Sequence, residues 1–135
     1  HKHAEAIKKN EKANLLCVCD IIEERAAEYK DKYGAEAHFT DYRKMLEYSG
    51  LDVVNICTPS GMHAEMGIAA AQAGKHVIVE KPMALSLKDA DDLIEACDES
   101  GVKLSVFRIA SIHLYRNCGV PWRKEGSGNS LTPAL

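Results

Sequence analysis

Along the chain the spacing of apolar residues switches repeatedly between the short runs of strands and the i, i+3, i+4 repeat of helices. The opening run KHAEAIKKNEKA is helix-like, and Leu15 to Cys19 (LLCVC) is a short apolar run ending in Asp20. A helical segment from Ile22 to Tyr33 follows. It is stopped by Gly34, a residue that readily takes left-handed backbone just beyond a helix. A weak strand is expected at Ala37 to Phe39, after which Thr40 is a plausible N-cap for a helix with Tyr42, Met45 and Leu46 on its apolar side and its end at Gly50. Asp52 to Cys57 (DVVNIC) reads as a strand, Ser60 as the cap of a helix reaching Ala73 before Gly74, and His76 to Val79 (HVIV) as another strand. Ser86 and Asp89 resemble a capping box, and Ala90, Leu93, Ile94 and Cys97 repeat at the spacing of a buried helical face. Gly101 closes that helix before a last strand, Lys103 to Val106.

Strands alternating with helices of this length imply right-handed crossovers and a parallel sheet covered on both faces, so the expected class is α/β. In such sheets ligands bind beyond the carboxyl ends of the strands. The residues at those places are Asp20, the stretch Thr58 to His63, and Glu80 to Pro82.

Composition narrows the functions. The chain has 135 residues, 46% of them hydrophobic, with 17 Lys and Arg against 20 Asp and Glu and a net charge of −3, as expected for one globular domain. No apolar run approaches the roughly 18 residues of a membrane span, and no charged segment leads into an apolar leader, so a cytoplasmic protein without a membrane partner is expected. The mildly acidic balance lacks the basic stripe that nucleic acid requires. Five cysteines (Cys17, Cys19, Cys57, Cys97, Cys118), odd in number and mostly in apolar segments, read as reduced core thiols. Charge is uneven: residues 1–106 hold 13 basic and 19 acidic side chains, whereas 107–135 hold 4 and 1, together with Trp122. Because the chain opens at His1, without methionine and directly in a helical pattern, a preceding segment is expected.

Asp20 stands where a doubly wound dinucleotide fold places an acid for the adenosine ribose, although on spacing alone a helix cap is the commoner role. The Gly-rich turn G-x-G-x-x-G that would decide between them belongs about 20 residues upstream, before His1. Thr58 and Pro59 lie at a strand exit, and Ser60 and Gly61 at a helix start, where free amides can meet a polar or anionic ligand; an ordinary capped loop fits these residues equally well. His63, in the first turn, faces either a ligand or solvent, with the solvent or supporting role favoured. Glu80, Lys81 and Pro82 are the most unusual group. A lysine directly after a buried strand and before proline is held stiffly at the mouth of the sheet, with three donors to offer, and burial would bring its pKa toward a useful range. The Lys81–Pro82 peptide is a candidate for the cis form. Cys17, Cys19, His1 and His3 lack zinc spacing and read as packing residues, so no metal is expected. Met62 and Met66 read as helix packing residues.

The run DVVNICTPSGMHAEMGIAAAQAGKHVIVEKPMALSLKDADDLIEACDESGVKLSV, with KHAEAI, LLCVCD and TDYRKMLE before it, resembles the cofactor domain of the Gfo/Idh/MocA oxidoreductases over about residues 1–106. The phrase NICTPSGMHAE is most similar to members that oxidise the 3-hydroxyl of nucleotide-linked N-acetylated sugar acids. The resemblance implies a Rossmann domain binding NAD or NADP, followed by an open-faced α+β domain that holds the sugar, in an enzyme that is commonly a homo-oligomer. Lys81 then matches the lysine that assists removal of the hydroxyl proton, with Glu80 and Pro82 positioning it. Asp20 matches the ribose acid and favours NAD over NADP, since a 2′-phosphate would meet its charge. Thr58, Pro59 and His63 match the loop lining the cofactor, with Ser60 and Asn55 beside it.

Two departures from the family pattern shape the expectation for this chain. The family's first strand and glycine turn, which lie centrally in the order 3-2-1-4-5-6, would precede His1; a chain without them should be poorly stable and bind NAD weakly. After Val106 the family continues into its substrate domain, with a catalytic Asp and His, whereas this chain reads FRIASIHLYRNCGVPWRKEGSGNSLTPAL. Permitted codons read from the third base of the Phe107 codon can give QNRFHPPVPKLRRTLEEGRFGKL, which resembles the family's continuation, so a reading-frame slip near Phe107 is expected and 107–135 form an atypical, irregular tail. The expected function is thus a fragment of an NAD(P)-dependent dehydrogenase of a sugar or sugar-nucleotide secondary alcohol, inactive by itself. The alternatives are a non-catalytic dinucleotide-binding module and an inert gene fragment.

Overall fold

The computed structural model describes residues 2–107 and, as backbone, 122–124 and 131–133. Within it, helix α1 (Lys2–Lys8) is followed by β1 (Cys17–Cys19), α2 (Glu23–Tyr33), β2 (Ala37–Phe39), α3 (Tyr42–Leu46) and β3 (Val53–Ile56). A 3-10 turn (Ser60–Met62) then leads into α4 (His63–Gln72), β4 (His76–Glu80), α5 (Leu87–Glu99) and β5 (Leu104–Phe107). Two further strands, β6 (Trp122–Lys124) and β7 (Leu131–Pro133), pair antiparallel; the remainder of the tail, Cys118 included, lies outside the described residues.

The α/β expectation holds, with a division at its centre. β1 pairs in parallel with β2, and β3-β4-β5 form a separate parallel sheet. Among the described residues no strand bridges β1 and β3, so the order β2-β1 and β3-β4-β5 is that of a doubly wound sheet with its middle place unfilled.

Alternation along the strands explains where the core sits. Val54, Ile56, Val77 and Val79 face one side of the sheet and pack with Ala70 and Ala71 of α4, Leu93 and Cys97 of α5, and Leu46. The small residues of α4 let α5 approach closely: a Cβ on Gly67 would lie 2.6 Å from Leu93 Cδ1. The other face is barely covered, because α1 buries none of its residues and Val53 stays 43% exposed.

Several local expectations are corrected. Asp41, not Thr40, caps α3, because its carboxylate accepts from the Arg43 amide at 2.9 Å, and the helix ends at Leu46, well short of Gly50. Ser60 does not cap a helix. It opens the 3-10 turn, with Pro59 at the preceding position and no side-chain cap bond. The Ser86 hydroxyl does accept from the Asp89 amide, at 3.1 Å. Ile94 is half-exposed, since it lies at the border of the α5 apolar face beside a hollow at Cys97, Asp98 and Val102. Met62 is exposed while Met66 packs on the core. Of the described cysteines only Cys97 is a core thiol. Cys19 and Cys57 are exposed at strand ends, where the covering helices stop.

Candidate active site

Because β3 and β4 run in parallel, their carboxyl ends bring Thr58–Ser60 and Glu80–Pro82 to one edge of their sheet, while Asp20 stands at the carboxyl end of β1, which runs parallel to β2 in the other sheet. The hollow beside Ile94 lies at the opposite edge, against the start of β5.

Asp20 sits just past β1, held there by its amide donating to the Phe39 carbonyl at 3.1 Å. Its carboxylate does what an Asx cap does, accepting from the Ile22 amide at 3.0 Å, and it pairs with Arg25 of α2 at 3.2 Å. These bonds lie on the helix side. Both the cap and the ribose readings remain compatible with a carboxylate that has further lone pairs to offer. Next to it, the Cys19 thiol is pushed up to about 11 by partial desolvation, with Asp41 and Asp20 adding repulsion.

Beyond β3, the Thr58 hydroxyl lies 3.5 Å from the Met66 sulfur, and Pro59 carries the chain into the 3-10 turn, where the Met62 amide bonds the Pro59 carbonyl at 2.9 Å. His63 is not at the solvent surface: it is 1% exposed. Its Nδ1 lies 2.7 Å from the Pro82 carbonyl oxygen and its Nε2 2.8 Å from that of Thr58. A neutral imidazole donates to one of these acceptors and an imidazolium to both. The ring therefore joins the loop after β3 to the loop after β4, supporting the site from behind.

The Lys81–Pro82 peptide is cis. Lys81 is exposed, so burial is not available to tune it, and its ammonium has no hydrogen-bond or ion-pair partner among the described residues. Its neighbour Glu80 is fully engaged. Glu80 Oε1 lies 2.6 Å from His3 Nε2, and Oε2 accepts from the Lys81 amide at 3.2 Å. The His3 hydrogen bond, aided by the Lys81 amide against a desolvation penalty, holds the Glu80 carboxyl below its ordinary range. His3 in turn meets the Asn55 side-chain amide at 2.9 Å and stands edge-on to Phe107, ring centres 4.6 Å apart.

His3, read from the sequence as a packing residue, is instead the hydrogen-bonding partner of Glu80 and Asn55. No spacing rule links a first-turn histidine with a glutamate so far along the chain; only the topology brings them together. Asn55, placed by the resemblance beside the cofactor loop, instead points at His3. Among the described residues no group of His, Cys, Asp and Glu has the arrangement of a metal site.

Polar groups gathered where parallel strands end, with helices packed behind them, define a dinucleotide-binding α/β domain. Residues 1–108 match the family described as an oxidoreductase family with an NAD-binding Rossmann fold. The chain belongs to that family, Gfo/Idh/MocA. It is 38% identical over 102 residues to myo-inositol 2-dehydrogenase from Thermotoga maritima, covering 76% of this chain and 30% of that protein. It is 39% identical over 101 residues to 4-carboxy-2-hydroxymuconate-6-semialdehyde dehydrogenase from Sphingobium sp., covering 75% and 32% respectively. The WlbA dehydrogenase from Bordetella pertussis, solved in complex with NADH and UDP-GlcNAcA, superposes with a TM-score of 0.73 at 38% identity over 78% of this chain and 30% of that one. The chain thus spans about 30% of the length of the curated relatives it matches.

Proposed function

We propose that this chain supplies the cofactor-binding edge and the catalytic lysine of an NAD-dependent dehydrogenase acting on a secondary alcohol of a sugar, cyclic polyol or sugar nucleotide. The observation that carries this is Lys81: an ammonium at the carboxyl edge of the sheet with no hydrogen-bond or ion-pair partner among the described residues, beside a carboxylate held by His3 and by the Lys81 amide.

The residues present fit a dinucleotide in part. Asp20 would accept from the adenosine ribose hydroxyls, and Thr58, Pro59 and Ser60 would line the path toward Lys81 and Pro82, with His63 and Glu80 behind them. The chain has no G-x-G-x-x-G sequence, so the pyrophosphate has no glycine cradle of its own here. NAD is favoured over NADP because the Asp20 charge opposes a 2′-phosphate and Arg25, the nearby cation, is already paired with it. When bound, nicotinamide supplies the hydride-accepting carbon. Lys81, in its amine form, is placed to take the hydroxyl proton of the substrate.

The ring polyol and sugar-nucleotide relatives support a polyhydroxylated substrate. The match of NICTPSGMHAE to enzymes of nucleotide-linked sugar acids makes the 3-hydroxyl of such a molecule the first substrate to try. Residues 1–106 are read as part of the cofactor domain, and 107–135 as a tail arising from a frame slip, which resequencing the coding DNA tests. No helix among the described residues is long and apolar enough to cross a membrane; a cytoplasmic location is part of the proposal.

The deciding experiment follows NAD reduction with UDP-N-acetylglucosaminuronate, inositols and simple sugars. It uses both this chain and a version extended at both ends. Turnover in the extended form, reduced about 100-fold or more by Lys81→Ala, supports the proposal. NADH binding without turnover on any substrate favours the non-catalytic binding module, and neither in either form favours the inert fragment.

A further inference from the structure

We infer that His3 and Asn55 are positioning residues for Lys81, acting through the Glu80 carboxylate by one directed chain of hydrogen bonds. The assignment rests on Lys81 being the catalytic lysine proposed above.

The direction of the chain follows from its donors and acceptors. The Cys57 thiol donates to Asn55 Oδ1 across 3.6 Å, which orients the amide so that Nδ2 faces His3. Nδ2 can only donate, so His3 Nδ1, 2.9 Å away, accepts and carries no proton. The single proton of the neutral ring then sits on Nε2 and is donated to Glu80 Oε1. The Lys81 amide completes the set at Oε2. From Cys57 to His3 every donor points toward Glu80, the Lys81 amide meets the same carboxylate from the other end, and the net charge of the group rests on Glu80.

The consequence for Lys81 is spatial. Glu80 is its immediate neighbour and would be the nearest anion for its ammonium. With one carboxylate oxygen held by His3 and the other by the Lys81 backbone, Glu80 anchors the main chain of the lysine and leaves the side chain unpaired. A free carboxylate would turn toward the ammonium and withdraw it from a substrate. The ionisable groups facing Glu80 are His3 from α1, Lys81 after β4 and Cys57 after β3. The Cys57 thiol is itself pushed up by desolvation and by Glu80, which keeps it protonated as the donor that the chain needs. Phe107 holds the His3 ring from the β5 side.

Nuclear magnetic resonance on the 135-residue chain tests this without cofactor or turnover. Imidazole nitrogen shifts of the unmutated protein near neutral pH should show His3 in the Nε2–H form, with Nδ1 a hydrogen-bonded acceptor. Carboxyl carbon shifts should show Glu80 titrating below ordinary glutamate. In His3→Ala the Glu80 midpoint should rise toward that of ordinary glutamate, and exchange of the Lys81 amide should quicken by about tenfold. His3→Gln, which keeps a donor toward Glu80, should recover most of both changes. An unmutated His3 in the Nδ1–H form or averaging between tautomers, a Glu80 that titrates at its ordinary position, or a Lys81 amide indifferent to His3→Ala would overturn the inference. Failure of the proposed function shows elsewhere, as absent hydride transfer in the extended protein while these signals persist.

Discussion

The Asp20 carboxylate caps the start of α2 through the Ile22 amide and, on the same side, neutralises Arg25. Both interactions bear on cofactor choice. If Asp20 is the proposed ribose acid, a 2′-phosphate would meet a carboxylate and find the guanidinium engaged, whereas in Asp20→Ala it would meet the guanidinium released from that pair. We expect Asp20→Ala to weaken NADH binding and shift the NADPH-to-NADH affinity ratio by about tenfold or more toward NADPH, a coupling of some 1.4 kcal/mol, measurable by titrating the fluorescence of each reduced cofactor. An unchanged ratio would remove Asp20 from the ribose site and leave it a cap. At this scale the sequence was most legible where a residue's place follows from the end of an element: Asp20 after a strand, Lys81 after another. It was least legible where the partner is distant. His63 is buried against two carbonyls, and His3 reaches Glu80 and Asn55, because of crossovers that no local period records.

Among the elements, the contact of α4 with α5 is the tightest join. Gly67 faces Leu93, which is fully buried, and an added methyl would start 2.6 Å from Leu93 Cδ1. Two effects compete in Gly67→Ala. Alanine favours the helix by about 1 kcal/mol, while overpacking typically costs about 1–3 kcal/mol. Because Leu93 is fully buried in the same cluster as Val77, Val79 and Cys97, overpacking should win. The expected net loss is roughly 1 kcal/mol, read from denaturant midpoints; a gain would show that Leu93 yields easily. The elements themselves were well anticipated from periodicity, since alternating valines and small-residue helices have few other solutions. Their boundaries were not. α3 starts one residue later because Asp41, not Thr40, is its cap, and the α4 segment begins as a 3-10 turn because Pro59 sets its approach.

For the whole molecule, the break between β1 and β3 governs stability. Among the described residues β1 and β3 each lack a strand partner on the side away from β2 and β4, and α1 lies on the barely covered face with none of its residues buried. We expect the 135-residue chain to melt broadly and to bind NADH more weakly than micromolar; a sharp two-state transition with micromolar affinity would contradict this. Melting should also depend on pH in two windows. Glu80 is lowered in the fold, so its contribution is present above the ordinary glutamate pKa of 4.5 and is lost as pH falls through the lowered value. Cys19 is raised, so its contribution is complete below the ordinary thiol value of 9.0 and declines as pH rises toward about 11. The class of fold was legible from alternation alone. The division into two sheets was legible only through the resemblance, which names the strand that stands between them.

Those two bare edges also govern how the chain behaves in company. Each is a row of backbone donors and acceptors that any extended segment can satisfy, and nothing in β1 or β3 discriminates between a strand of the same protein and a strand of another. Crowding copies of this chain together therefore sets self-pairing against solubility, and the outcome is decided at β1 and β3.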